Sequence, residues 1–118
     1  MISNPLSKLA PHLFGEYPKD FIELIDLVQL LPNQNSEEVK SQIWLAYEFG
    51  KRYHEGQRRK SGEPYFMHCV EVAKTLASWK MDKTTIIAGL LHDTVEDTDV
   101  TLNQLEENFG SDLSNLVD

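Results

Sequence analysis

The segment Asp82-Lys83-Thr84-Thr85-Ile86-Ile87-Ala88-Gly89-Leu90-Leu91-His92-Asp93-Thr94-Val95-Glu96-Asp97-Thr98 decides the fold. Asp82 suits a helix N-cap, because its short carboxylate can accept from the unpaired amides of a first turn. Ile86, Ile87, Ala88, Leu90 and Leu91 then leave almost no polar face, and a helix that apolar belongs at the centre of a helical domain. At its end a histidine stands beside an aspartate, one nitrogen and one oxygen for a divalent metal. If the helix continues, Glu96 lies four residues after His92 and Asp97 four after Asp93, so each pair shares a face. That reading gives a metal pair with an acidic pair beside it. The alternative is a polar helix end facing water, and the His-Asp dipeptide alone favours it, because such pairs are common by chance.

Outward from this segment the pattern stays helical. Phe21, Leu24, Ile25, Val28 and Leu31 recur at three- and four-residue steps, which predicts a helix from about Asp20 to Leu31, stopped by Pro32. Asn35 or Ser36 can cap a second helix, with Glu37 and Glu38 in its first turn, running to about Tyr53. Pro64 suits the start of a third, expected to reach about Trp79. Thr101 and Gln104 match a capping box for a helix ending at Gly110, and Ser111 can begin a last one. Residues 1–17, punctuated by Pro5 and Pro11, read as a loose leader whose Leu6, Leu9, Leu13 and Phe14 could dock on a neighbouring surface; His12 carries no usable signal. There is no convincing strand alternation, repeat or low-complexity tract. The expected class is all-α.

At 118 residues the chain is one small domain or a piece of a larger one. No run approaches the ~20 apolar residues of a membrane span, and the N-terminus lacks the pattern of a signal peptide. The single Cys69 cannot form an internal disulfide, which fits a cytoplasmic location. The net charge of −8 is uneven. Residues 1–83 hold eleven Lys/Arg and eleven Asp/Glu, whereas residues 84–118 hold eight Asp/Glu and no Lys or Arg. Direct nucleic-acid binding is therefore not expected. Lys51, Arg52, Arg58, Arg59 and Lys60 form a compact basic cluster, and such a cluster facing an acidic, metal-capable segment suits a phosphorylated small molecule.

His68 falls early in the helix after Pro64. Alone it reads as a packed or capping residue. With His92 and Asp93, from the next helix, it completes a set of two histidines and one carboxylate, whose N/O donors favour a catalytic Mn, Fe or Zn with open positions. Glu96 and Asp97 could orient or deprotonate a metal-bound water, or could simply be a solvated helix terminus. Arg58-Arg59-Lys60-Ser61-Gly62 combines guanidinium forks, an ammonium and a hydroxyl on a flexible backbone; arginine pairs with phosphate and stacks on planar bases, although charged loops are often only solvated. His54 and Gln57 flank Gly56 at a helix end, and read as tying that end down.

Together the motifs run Tyr53-His54-Glu55-Gly56-Gln57-Arg58-Arg59-Lys60-Ser61-Gly62-Glu63-Pro64-Tyr65, then His68, then Leu90 to Thr98, then Phe109-Gly110 and Leu116-Val117-Asp118. Over roughly residues 40–118 this closely resembles the N-terminal hydrolase domain of the RelA/SpoT family, a branch of the HD phosphohydrolases. The resemblance implies an HD-domain helical bundle over residues 36–118, preceded by a leader and helix in 1–35. It implies Mn²⁺-dependent removal of the 3′-pyrophosphate of the guanine nucleotide alarmone (p)ppGpp, within a stringent-response protein. By position, His68, His92 and Asp93 would be metal ligands, Glu96 and Asp97 would position and activate water, and Arg59, Lys60 and Ser61 would receive the nucleotide, with Arg59 against the guanine.

The chain departs from the family's pattern at two points. Cys69 stands where the family usually has proline, a change expected to be mild. A fourth ligand, an aspartate on a downstream helix, is not reached before Asp118. The expectation is therefore a domain truncated at its C-terminal end, impaired in metal binding and turnover, with apolar surface that favours self-association. A catalytically inactive HD module that binds a guanine nucleotide or a partner is the alternative. A hydrolase for another nucleotide is opposed by the Arg-Lys-Ser-Gly-Glu-Pro-Tyr run.

Overall fold

The computed structural model describes residues 17–33 and 36–118. All but the last residue of the expected leader lies outside them, as does Asn35. In chain order the helices are α1 (Lys19–Gln29), α2 (Glu37–Tyr53), α3 (Tyr65–Ser78), α4 (Lys83–Leu91), α5 (Thr94–Asp97), α6 (Leu102–Phe109) and α7 (Ser111–Val117). Extended pairing among the described residues is limited to one bridge between Arg58 and Pro64. The all-α expectation holds.

Local chemistry sets the helix ends. Ser36 Oγ accepts from the Val39 amide at 3.1 Å, and Asp82 Oδ1 from the Thr85 amide at 2.9 Å. The bonds from Thr85 hold the Asp82 carboxyl below its ordinary range. Thr101 and Gln104 exchange reciprocal bonds at 2.8 and 3.2 Å, the expected capping box. Each such cap contributes about 1 kcal/mol.

The centre is α4. Every residue from Ile86 to Leu91 is buried, Leu90 and Leu91 completely. Burying each leucine is worth about 1.5–3 kcal/mol. Its most extensive partner is α3. A Cβ on Gly89 would lie 2.7 Å from Leu76 Cδ1 and 3.4 Å from Ala73 Cα, so the missing side chain is what lets the two helices close up. Gly50 plays the same part for α2: a Cβ there would run into the Phe66 ring and sit 3.3 Å from the Leu90 carbonyl. Gly89 faces Ala73 and Leu76 while His92 faces His68, so α3 and α4 run antiparallel. Three helices therefore converge beneath the end of α4.

Helix α1 belongs to the same core, through fully buried Phe21 and Leu24. Phe21, Trp44, Tyr47 and Phe66 form a chain of ring contacts at 4.8–5.4 Å that joins α1, α2 and α3. Tyr47 Oη donates to Asp20 Oδ1 at 2.7 Å, and Lys74 Nζ reaches Glu23 and Glu71, each at 2.9 Å.

Candidate metal centre

His68 sits on the first full turn of α3, and His92 and Asp93 follow the last residue of α4. One ligand atom from each residue lies within 4.8 Å of the other two, and all three side chains are partly buried. The rings of His68 and His92 are 5.9 Å apart, so the imidazoles from the two helices do converge.

Hydrogen bonds decide what these atoms offer. His92 Nδ1 lies 2.7 Å from the Gly89 carbonyl oxygen. A carbonyl only accepts, so Nδ1 carries the proton and donates. This bond orients a histidine ligand and directs the lone pair of Nε2 outward. That Nε2 is 2.9 Å from Asp93 Oδ2. A bare nitrogen lone pair and a carboxylate oxygen repel at that distance; positive charge between them, a proton or a cation, turns the contact attractive. Two ligands ~2.1 Å from one cation and side by side in its shell lie about 3 Å apart. The donor set and its spacing therefore fit a divalent metal.

Tyr65 completes the arrangement. Its hydroxyl donates to Asp93 Oδ2 at 2.6 Å. That bond to the Asp93 carboxylate, with lesser help from burial, raises the phenol's pKa well above its ordinary value and keeps it a donor. The field of Asp97 acts in the same direction. From the sequence Tyr65 reads as a partly buried packing residue. Its position three residues before His68, on the same helix face, is the signal that could have marked it.

The acidic pair is placed differently from the continuous-helix expectation. The helix breaks at Asp93, whose φ of −98° and ψ of 0° cap a new four-residue turn, α5. Glu96 and Asp97 lie on that turn, exposed, and are not carried forward on the face of α4. The turn is closed by the Asp97 amide donating to the Asp93 carbonyl at 2.9 Å.

Arg59, Lys60 and Ser61 are exposed and line an open hollow of about 520 Å³ with Arg58 and Tyr65. Tyr65 is thus common to the hollow and to the His-Asp cluster. Lys51 and Arg52 do not join Arg59 and Lys60 there. They line a separate cavity of about 640 Å³ behind the end of α2, which Arg58 also borders. The basic cluster that is compact in sequence is divided in space.

An all-helical domain that draws two histidines and an aspartate from consecutive helices into one cluster defines the class: a helical domain with a His/Asp donor set of the kind that could hold a divalent metal. The chain belongs to the HD-domain family, whose profile matches residues 46–118. Its relatives carry the RelA/SpoT resemblance along the chain. It is 48% identical over 95 residues to a guanosine-3′,5′-bis(diphosphate) 3′-pyrophosphohydrolase of Aquifex aeolicus, covering 79% of this chain and 13% of the relative. It is 41% identical over 92 residues to a probable enzyme of the same name from Mycoplasma pneumoniae, covering 78% and 13%. It is 52% identical over 76 residues to a GTP pyrophosphokinase of Myxococcus xanthus, covering 64% and 10%. The chain therefore spans only about a tenth to an eighth of the length of these relatives.

Proposed function

We propose that the protein carrying this chain hydrolyses (p)ppGpp at its 3′-pyrophosphate, with His68, His92 and Asp93 as ligands of a divalent metal, Mn²⁺ in our reading. The observation that carries the proposal is the convergence of those three donors within 4.8 Å, beside a cationic hollow that shares Tyr65 with them. The names of the Aquifex and Mycoplasma relatives point to the same substrate. A cytoplasmic setting is part of the same reading.

In this mechanism the oxygen of a water forms a bond to the 3′-linked phosphorus. The bond from that phosphorus to the ribose 3′-oxygen breaks, and pyrophosphate leaves. The nucleoside 3′-oxygen takes up a proton, giving GDP or GTP. A divalent metal held by His68, His92 and Asp93 would supply Lewis acidity at the reacting phosphate and ease deprotonation of the attacking water. Glu96 and Asp97, on the turn that follows Asp93, accept the proton the water loses. Arg59 and Lys60 offset phosphate charge, the Arg59 guanidinium stacks on the guanine, and Ser61, whose hydroxyl donates to Glu63 Oε1 at 2.8 Å, belongs to the loop that receives the nucleotide. Tyr65 holds Asp93 in its ligating orientation, and Gly89 does the same for His92 through its carbonyl.

The test is release of pyrophosphate from (p)ppGpp by the full-length protein. The expected result is turnover that stops on chelation and returns with Mn²⁺. Nucleotide binding without release, in the presence of Mn²⁺, would favour a sensing module over an enzyme.

A further inference from the structure

His54 is only 2% exposed, yet the mechanism above gives it no role. Its Nδ1 lies 2.8 Å from Gln57 Oε1, while Gln57 Nε2 donates to the backbone carbonyl of Asp97 at 2.7 Å. The carbonyl can only accept, so the amide nitrogen must face it. The amide oxygen must then face the ring, and His54 Nδ1 must carry the proton. The buried Nε2 has no hydrogen-bond partner. The ring stacks on Tyr65 at 5.2 Å, with the planes 27° apart. Gln57 is tied by its backbone as well: its amide donates to the His54 carbonyl at 3.0 Å, and its carbonyl accepts from the Tyr65 amide at 2.9 Å.

One residue thus links three elements: its side chain joins the end of α2 to the last residue of α5, and its backbone carbonyl holds the start of α3. Helix α5 has four residues, too few to hold a helical turn by itself, because nucleation costs more than one hydrogen bond returns. Its last carbonyls lack intrahelical donors, and Gln57 supplies one of them. We propose that His54 and Gln57 are positioning residues that fix the Glu96–Asp97 turn against the His68–His92–Asp93 cluster. His54 anchors the Gln57 amide oxygen, and the Gln57 amide nitrogen holds the turn. The role rests on the reading of Glu96 and Asp97 as the acidic pair, but the mechanical link does not. The pair acts on the turn and not on the ligands, so its loss should slow turnover and leave metal affinity intact.

The experiment uses the full-length protein with Gln57→Met, which keeps the volume and removes both side-chain bonds. Gln57→Glu is the second variant: it keeps an acceptor for His54 and loses the donor to Asp97. Amide exchange across residues 94–98 should quicken by roughly 10-fold in both, as expected when a hydrogen bond anchoring a short turn is lost. The kcat for (p)ppGpp should fall about 10–100-fold, the range for residues that orient a site from behind. The KM and the Mn²⁺ affinity measured by calorimetry should stay within about twofold of wild type. Unchanged exchange at 94–98 in both variants would overturn the proposal. So would Mn²⁺ affinity falling in step with kcat, since that would place the effect on the ligands. If the wild type releases no pyrophosphate, the hydrolase reading fails, and the exchange measurement still decides whether Gln57 holds the turn.

Discussion

The cluster and the basic loop are neighbours held by opposite means. His68, His92 and Asp93 hang from α3 and α4, whose contact is built on fully buried Leu90, Leu91 and Ala73 and on the side-chain-free face of Gly89. Residues 58–63 are exposed throughout. Their shape comes from a tight turn: Arg59 N to Glu63 O at 2.9 Å, Gly62 N to Arg59 O at 2.8 Å, and Arg58 guanidinium to Gly62 O at 2.7 Å. Gly62 at a φ of +97° takes the left-handed conformation that the turn requires. The placement of the three donors is thus preset by the core, where small displacements are costly. The charges that would meet a nucleotide sit on a firm backbone with exposed side chains. Mutations on the two sides should therefore fail in different currencies: metal affinity on one, KM on the other.

The sharpest break is His92→Ala. It removes a donor and leaves the Asp93 carboxylate without its partner at 2.9 Å. Mn²⁺ affinity and hydrolysis should both fall by more than about 100-fold, beyond the cost of losing a residue that merely supports a ligand. The melting temperature without metal should change little, since His92 is partly exposed. Next is Tyr65→Phe, which deletes one hydroxyl at 2.6 Å from Asp93 Oδ2. A loss of about 10–100-fold in Mn²⁺ affinity, read by calorimetry, is expected with the fold intact. Because Tyr65 borders both regions, an effect on KM alone would move it from the cluster to the loop.

Much of this was readable from residue order. The apolar run of α4, the Ser36 and Asp82 caps and the Thr101–Gln104 box are local signals, and the structure realises each. The meeting of His68 with His92 was also legible, since two consecutive helices joined by a short link pack antiparallel. The break at Asp93 was not. No Gly or Pro marks it; Asp93 with Glu96 three residues on is a helix-start pattern, yet the Asp93 side chain makes no cap bond. What competes with the helix there is tertiary: Tyr65 pulls on the Asp93 side chain, buried Thr94 is packed inward, and Gln57 holds the Asp97 carbonyl. The roles of Tyr65 and Gln57 were hidden for the same reason, because their partners lie 28 and 40 residues away. The tie expected of His54 and Gln57 at the end of α2 is present, and it extends further than expected.

On the loop side, Arg59→Ala tests the nucleotide contact. The nearest carboxylate, Glu63, is 3.9 Å away and both side chains are about half exposed, a pairing of little energetic weight. The guanidinium is therefore available to a ligand. KM for (p)ppGpp should rise about 10-fold with kcat and Mn²⁺ affinity near wild type, the signature of lost uniform binding. A fall in kcat with unchanged KM would assign Arg59 to the reacting phosphates and erase the division between the two regions.

The smallest effect concerns Cys69, adjacent in sequence to His68 yet fully buried. Burial first, then the negative fields of Asp93 and Asp97, push its thiol from 9.0 up to about 12. The thiolate is the reactive form, so alkylating reagents should label Cys69 in the native chain only through unfolding, at a rate that rises with denaturant. The sign of the linkage follows from the same shift. Below about pH 9 the thiol is protonated in both folded and unfolded chains and contributes no pH dependence. Above it the unfolded chain loses the proton while the folded chain keeps it, so stability drains away as pH climbs toward 12. Tyr47 and Tyr65 are shifted upward as well, so wild-type melting alone would mix the contributions. The difference in melting temperature between wild type and Cys69→Ala isolates the thiol. Wild type should lose ground relative to the variant between about pH 9 and about pH 11. A constant difference over that range would mean that Cys69 ionises as readily in the folded chain as in the unfolded one, and that the ground beneath His68 is less tightly closed than the ground beneath His92.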